Sequence, residues 1–290
     1  MLRRSKESQT EARIWRVEGE HAEPREDHLA TEEPLEIRLA WGESRRTVAV
    51  TMRTPGADEE LAAGFLFAEG VIASAERIRG ITTVDTNVLE VELADGPEPE
   101  LMSLDRHVFA TSACGVCGKA GLETLRLRVA GPLPPGPVVA PDLIRSLPEL
   151  LRAGQGLFDA TGGLHAAALF DTSGTLLAVR EDVGRHNALD KLIGWALNQG
   201  LPPLSRHLVM VSGRSSFEIL QKSLVAGVAI VCAVSAPSSL AVELAERFGV
   251  TLIGFLRGDR FNIYSGAERI AGVAPDAVRP SRERLFPTVL

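Results

Sequence analysis

From residue 207 to residue 255 the chain keeps one rhythm: apolar strand, helical stripe, apolar strand, helical stripe, apolar strand. Segments 207–211, 229–234 and 251–255 are short continuous apolar runs, the form of strands buried on both faces. Between them Phe217, Leu220 and Leu224, then Leu240, Leu244 and Phe248, recur at the spacing of one helix face. Upstream, 165–170 and 175–180 flank Asp171-Thr172-Ser173-Gly174, a hairpin signature, and Leu189, Leu192, Ile193 and Ala196 give another stripe. This order is that of an α/β sheet covered by helices. Such sheets bind ligands at the loops leaving the carboxyl ends of their strands.

The front half is less regular and reads as α+β. Segments 34–39, 47–52 and 88–93 alternate with the period of strands, and Leu61, Phe65 and Ala68 fall on one helical face with Asp58 as candidate N-cap. Residues 131–141 hold five prolines and two glycines, which neither a helix nor an inner strand tolerates. The expected organisation is a mobile, charged tail over 1–30, an N-terminal α+β domain over 31–135, a C-terminal α/β ligand-binding domain over 136–275 and a tail over 276–290. No internal repeat is evident.

The formal net charge is −7, so no global basic field recruits nucleic acid, and an anionic ligand needs a local basic cluster. Residues 224–234 are too short and interrupted to cross a membrane. Arg3-Arg4 is followed by no apolar run, so it reads as no export signal. Three cysteines make no disulfide scaffold. The expectation is a soluble protein of the reducing cytoplasm.

Two of those cysteines stand in Ser112-Ala113-Cys114-Gly115-Val116-Cys117-Gly118-Lys119. Three readings compete. A metal site would need two further ligands; the third cysteine, Cys232, lies in an apolar run and no histidines sit at paired spacing. A packed turn fits poorly with Gly115 and Gly118. Sulfur chemistry fits better: Lys119 favours the thiolate, the glycines free the backbone, and a thiolate can hold a persulfide that its neighbour resolves. Zinc-dependent deamination also uses Cys-x-x-Cys, but no His-x-Glu precedes Cys114.

No Walker or Rossmann glycine pattern is present. Instead, several polar or cationic loops stand at strand ends: Thr161-Gly162-Gly163-Leu164-His165, the stretch with Arg185 and His186, Ser212-Gly213-Arg214-Ser215-Ser216, Ser235-Ala236-Pro237-Ser238-Ser239, and the turn after Arg257. Singly, each is a capped helix or a solvated turn, with Asn187 and Ser239 as plain N-caps and Arg180 in a surface ion pair. Together, on one side of one sheet, they suggest a site for a phosphorylated ligand of nucleotide size.

These blocks resemble the FdhD/NarQ family of formate dehydrogenase accessory sulfurtransferases. The resemblance rests on Met52-Arg53-Thr54-Pro55-Gly56, Cys114-Gly115-Val116-Cys117-Gly118, the Thr161 to His165 block, Glu181-Asp182-Val183-Gly184-Arg185-His186-Asn187-Ala188-Leu189-Asp190-Lys191, Ser212-Gly213-Arg214-Ser215-Ser216-Phe217-Glu218 and Phe261-Asn262-Ile263-Tyr264. It implies a core similar to the cytidine deaminase fold and a homodimer. It also implies sulfur received from a cysteine desulfurase and passed to the molybdenum (or tungsten) bis-guanine-dinucleotide cofactor of formate dehydrogenase, with GDP as a mimic of that cargo. Cys114 would carry the persulfide beside an auxiliary Cys117. Phe261, Asn262, Ile263, Tyr264, Ser265 and Gly266 would bind the cofactor, with Ser212, Gly213, Arg214, Arg185, His186 and Arg257 as cationic and backbone partners. A structural zinc protein that binds a guanine nucleotide without sulfur transfer is the alternative.

Overall fold

The computed structural model describes residues 3–6, 8–101 and 131–273. Six strands form the central sheet: β8 (His165–Asp171), β9 (Leu176–Asp182), β10 (His207–Val211), β11 (Ile230–Ala233), β12 (Thr251–Arg257) and β13 (Arg260–Ser265), in the order β13-β12-β11-β10-β8-β9. β10, β11 and β12 are parallel, whereas β8 runs antiparallel to β10. Side chains alternate across this sheet. Leu169, Val209, Val231 and Leu252 enter one apolar cluster, while Phe170, Leu208, Ile230 and Ile253 enter a second.

Helices cover both faces. The second cluster lies under α2 (Pro141–Ala153), through Ile144, Leu147 and Leu151. The first lies under α4 (Arg185–Asn198), α5 (Phe217–Val225) and α6 (Ser239–Phe248). A short helix, α3 (Gly156–Thr161), follows α2, and Glu181 accepts from the Leu157 and Phe158 amides at its start, at 3.0 and 2.7 Å.

The front half supplies β4 (Glu33–Trp41), β5 (Ser44–Arg53), α1 (Asp58–Ala68), β6 (Ile78–Asp85) and β7 (Val88–Leu93), with the sheet order β5-β4-β7-β6. Leu35, Leu61 and Val91 belong to the same cluster as Leu169, Leu189 and Val209, so front and back halves share one core. The joint is a crossing of α1 with α4 at two glycines. A Cβ added to Gly64 would stand 1.9 Å from the Asp190 carbonyl oxygen, and one added to Gly194 1.9 Å from that of Glu60. Only glycine allows that approach.

Residues 1–30, expected as a mobile tail, differ from the expectation: β1 (Arg3–Lys6), β2 (Gln9–Glu18) and β3 (His21–Ala30) form a three-stranded antiparallel sheet. Its charge pattern hides the strands, because both faces of the β2–β3 ribbon are largely exposed and no apolar alternation is needed. Asp58 does not cap α1; Ala57 holds that position in a left-handed conformation, and Asp58 pairs with Arg53 at 2.8 Å. The caps of α5 and α6 are Ser216 and Ser238, whose hydroxyls accept from the Ile219 and Ala241 amides, while Asn187 lies inside α4. Among the described residues no helix is long and apolar enough to cross a membrane.

Candidate functional site

Sheet topology gathers the expected loops. The carboxyl ends of β10, β11 and β12 point to one edge, and the antiparallel β8 begins there, with Val211 opposite Ala167. His165 pairs with Asp182, so β9 ends there too. The segments around His165, Arg185, Ser212, Ser235 and Arg257 therefore share this edge. α4 and α5 both start at it, and the exposed N–H groups of their first turns carry partial positive charge.

Two side of the arrangement are packed closely. Ser212 is fixed by β8: its hydroxyl accepts from the Ala166 amide and its own amide donates to the Ala166 carbonyl, both at 2.9 Å. A Cβ on Gly213 would lie 3.3 Å from His165 Nδ1 and 3.9 Å from Arg185 Cδ. That glycine thus lets an imidazole and a guanidinium converge over the loop. Ser215 is buried between the loops after β10 and β11, bridging Pro237 and accepting from the Ser238 amide at 3.0 Å. Two buried polar atoms at this edge, Arg185 Nε and Ser215 Oγ, have no partner among the described residues. Such orphans are uncommon in folded proteins and call for an explanation.

Both histidines are neutral near pH 7. Burial lowers the His165 pKa, and the Arg185 charge adds to the effect. Burial pushes that of His186 down to about 4, against the pull of Glu218. His186 Nε2 lies 3.2 Å from Ser216 Oγ and 3.5 Å from Glu218 Oε2. Arg214 and Arg257 are exposed, and Arg257 Nε donates to the Val234 carbonyl at 3.2 Å.

The long block from Glu181 to Lys191 divides in two. Arg185 and His186 face the edge. Asp182 is fully buried and accepts from Lys191 at 2.7 Å, the Gly184 amide at 2.8 Å, and the Thr54 amide and Asn187 at 3.1 Å. Asn187 also donates to the Met52 carbonyl and Lys191 to that of Thr54, at 2.8 and 2.7 Å. These bonds clamp the end of β5 and Thr54 to α4 and β9, while Arg53 pairs with Asp58 at the start of α1. Asp190 meets Lys222 at 2.9 Å deeper in the core, near Glu69. Arg180 turns away from the edge and pairs with Glu60 of α1 at 2.7 Å.

β13 carries the remaining predicted residues. Asn262 pairs with Gly254 near the edge, and the Tyr264 ring lies against Gly254 beside Pro237. Phe261 and Ile263 pack on the α2-side cluster. Ser265 and Gly266 sit at the opposite edge, where Ser265 Oγ donates to the Val250 carbonyl and Thr251 to that of Gly266, both at 2.7 Å. Cys114 and Cys117 lie outside the described residues. Among the described residues no group of three His, Cys, Asp or Glu side chains could hold a metal ion. His165, Ser215 and Glu218 stand in the sequence motifs with no role that the sequence assigns; the convergence of their loops, visible only in the sheet order, is what brings them in.

Fold and edge together define the class: an α/β protein with cations, imidazoles and helix starts gathered at the carboxyl ends of its parallel strands. The chain belongs to the FdhD/NarQ family, whose sequence pattern matches residues 30–271. A protein of Streptomyces coelicolor named sulfur carrier protein FdhD is 50% identical over 270 residues, spanning 89% of this chain and 94% of that one. A protein of the same name from Mycobacterium tuberculosis is 48% identical over 272 residues, spanning 89% and 97%. A crystal structure from Desulfotalea psychrophila, described as a candidate formate dehydrogenase accessory protein, superposes with a TM-score of 0.71 at 28% identity, over 90% of this chain and 98% of that one.

Proposed function

We propose that this chain is a sulfur carrier that accepts persulfide sulfur from a cysteine desulfurase. It delivers that sulfur to the molybdenum (or tungsten) bis-guanine-dinucleotide cofactor bound for formate dehydrogenase. The observation that carries the reading is the convergence of Arg185, His165, Gly213 and Ser215 at one sheet edge, with Arg185 Nε and Ser215 Oγ buried and without a partner among the described residues. A pyrophosphate supplies the acceptors those donors lack. Family membership and relatives named as sulfur carriers support the sulfur half of the reading.

Cys114 has the loading role. Its thiolate attacks the outer sulfur of the donor's persulfide, the donor's thiolate leaves, and Cys114 holds the persulfide. Cys117 offers a release route: its thiolate attacks the Cys114 sulfur, hydrosulfide departs, and a Cys114–Cys117 disulfide remains for an external dithiol to reduce. The cofactor is cargo, held by its phosphates at the edge while sulfur is passed.

Intact-protein mass spectrometry after incubation with a cysteine desulfurase and cysteine tests this directly. The expected result is a gain of one sulfur atom, lost on adding reductant and absent in Cys114→Ala. A wild-type chain that gains no sulfur, or a Cys114→Ala chain that alone supports full formate dehydrogenase activity in cells, refutes it.

A further inference from the structure

Thr54 follows β5 directly in the Met52 to Gly56 block and is almost fully buried. Although it belongs to the front half, it bonds the back half three times. Its amide donates to Asp182 Oδ2 at 3.1 Å, its hydroxyl accepts from the Val183 amide at 3.2 Å, and its carbonyl accepts from Lys191 Nζ at 2.7 Å. These partners surround one turn: Asp182 ends β9, Val183 and Gly184 follow, and Arg185 and His186 open α4. The turn has little slack. Asp182 Oδ1 accepts from the Gly184 amide at 2.8 Å, and a Cβ on Gly184 would stand 3.1 Å from Asn187 Nδ2 and 3.4 Å from Asp182 Oδ1.

Thr54 is itself held. Pro55 after it favours an extended backbone at Thr54. Arg53 before it is buried and bonds Asp58 at 3.0 and 2.8 Å and Asn87 Oδ1 at 2.8 Å. A residue fixed on both sides thus meets the turn that carries Arg185 to the edge. Two of its three bonds are main-chain and survive any side chain other than proline. Only the bond from the Val183 amide depends on the threonine hydroxyl, and without it that amide loses its acceptor.

We propose that Thr54 is a positioning residue for the anion site: its hydroxyl fixes the Asp182–Gly184 turn and, through that turn, aims the Arg185 guanidinium at the ligand's phosphates. The inference rests on the phosphate reading of the edge and adds to it a residue of the front half that touches no ligand.

Calorimetric titration of the full chain with GDP, well below the melting temperature, tests it. Thr54→Val keeps the shape and loses the hydroxyl; it is expected to weaken GDP by at least about threefold, the scale of one net hydrogen bond. Thr54→Ser keeps the hydroxyl and is expected to stay within about twofold of wild type. A lost buried bond also costs stability, so two comparisons separate position from stability. Ile144→Val, a truncation in the α2-side cluster, is expected to lower the melting temperature and leave GDP affinity unchanged. In a chain that already carries Arg185→Ala, Thr54→Val is expected to cost at most about 1.5-fold, because a residue that acts through Arg185 has nothing left to aim. Unchanged affinity in Thr54→Val, an equal loss with and without Arg185, or a loss in Thr54→Ser or Ile144→Val as large as that in Thr54→Val overturns the assignment. Hydrogen exchange of the wild-type chain tests the brace even where Thr54→Val does not fold: the Val183 amide is expected to be protected, and free exchange there overturns it. A wild-type chain that binds no GDP overturns the phosphate reading itself, and this inference with it.

Discussion

The joint between α1 and α4 is the most exacting contact in the fold, and Gly194→Ala probes it. The added Cβ would lie 1.9 Å from the Glu60 carbonyl oxygen, 2.6 Å from its carbon and 2.9 Å from the Glu60 Cα. All three are backbone atoms, so no side chain can swing aside. An ordinary contact is about 3.5 Å, so the helices must part by roughly 1.5 Å. Leu61 and Leu66 of α1 and Leu189, Leu192, Ile193 and Leu197 of α4 belong to the shared core. Each is worth about 2 kcal/mol when fully buried. A gap of about 1 Å forfeits at least a quarter of a packing contact, so the six together lose about 3 kcal/mol. Urea unfolding followed by circular dichroism should show a lower midpoint with an unchanged slope. Gly80→Ala is the control, because nothing lies within 4 Å of its added Cβ; it should stay within about 0.5 kcal/mol of wild type. A Gly194→Ala loss below about 1 kcal/mol, with the slope preserved, would refute the backbone contact and the claim that the two halves share a core through it.

That joint also shows where sequence reading stops. The back-half sheet was legible because its strands are buried on both faces, so 207–211 and 251–255 could only be apolar runs. β7 was legible for the opposite reason: Val88, Leu89, Val91 and Leu93 are buried while Glu92 is exposed, a pattern with one reading. α2 was hidden by Pro148 in its middle and by Pro141 and the four prolines before it, although Ile144, Leu147 and Leu151 carry its stripe. β6 was hidden because, at the sheet's edge, none of its residues is buried. The split of the Glu181 to Lys191 block needed partners as well as periodicity. Asn187, Asp190 and Lys191 recur three and four apart, but only the carbonyls of Met52 in β5 and of Thr54 just after it explain why Asn187 and Lys191 point inward. The site was legible as a set of loops, not as a geometry. Ser265 and Gly266 follow Tyr264 directly in the chain, yet a strand's extended rise carries them to the opposite edge. Gly64 and Gly194 carry no signal that they meet.

Two further predictions concern the edge itself. Arg185→Ala and Arg214→Ala should each weaken GDP binding by about 1–3 kcal/mol, the scale of a charged hydrogen bond; unchanged calorimetric affinity removes the residue concerned from the site. The second is a pH dependence with a definite sign. Burial holds the His186 pKa at about 4, against 6.5 when unburied. Above pH 6.5 the ring is neutral in folded and unfolded chains alike, and it contributes no pH dependence. As pH falls from 6.5 towards 4, the unfolded chain takes up a proton that the folded chain refuses, so stability is lost across that window. The drop from 6.5 to about 4 corresponds to about 3 kcal/mol, fully developed only near pH 4. His186→Gln keeps a hydrogen-bonding side chain opposite Ser216 but cannot titrate. The stability difference between wild type and variant, measured by urea unfolding at successive pH values, should therefore shift by about that amount in the variant's favour on acidification. Carboxylates that titrate in the same range are common to both chains and cancel in the difference. A flat difference between pH 7 and pH 4 would mean that the imidazole is solvated in the folded chain, and the closed packing of α4 against the Ser216 cap would have to be abandoned.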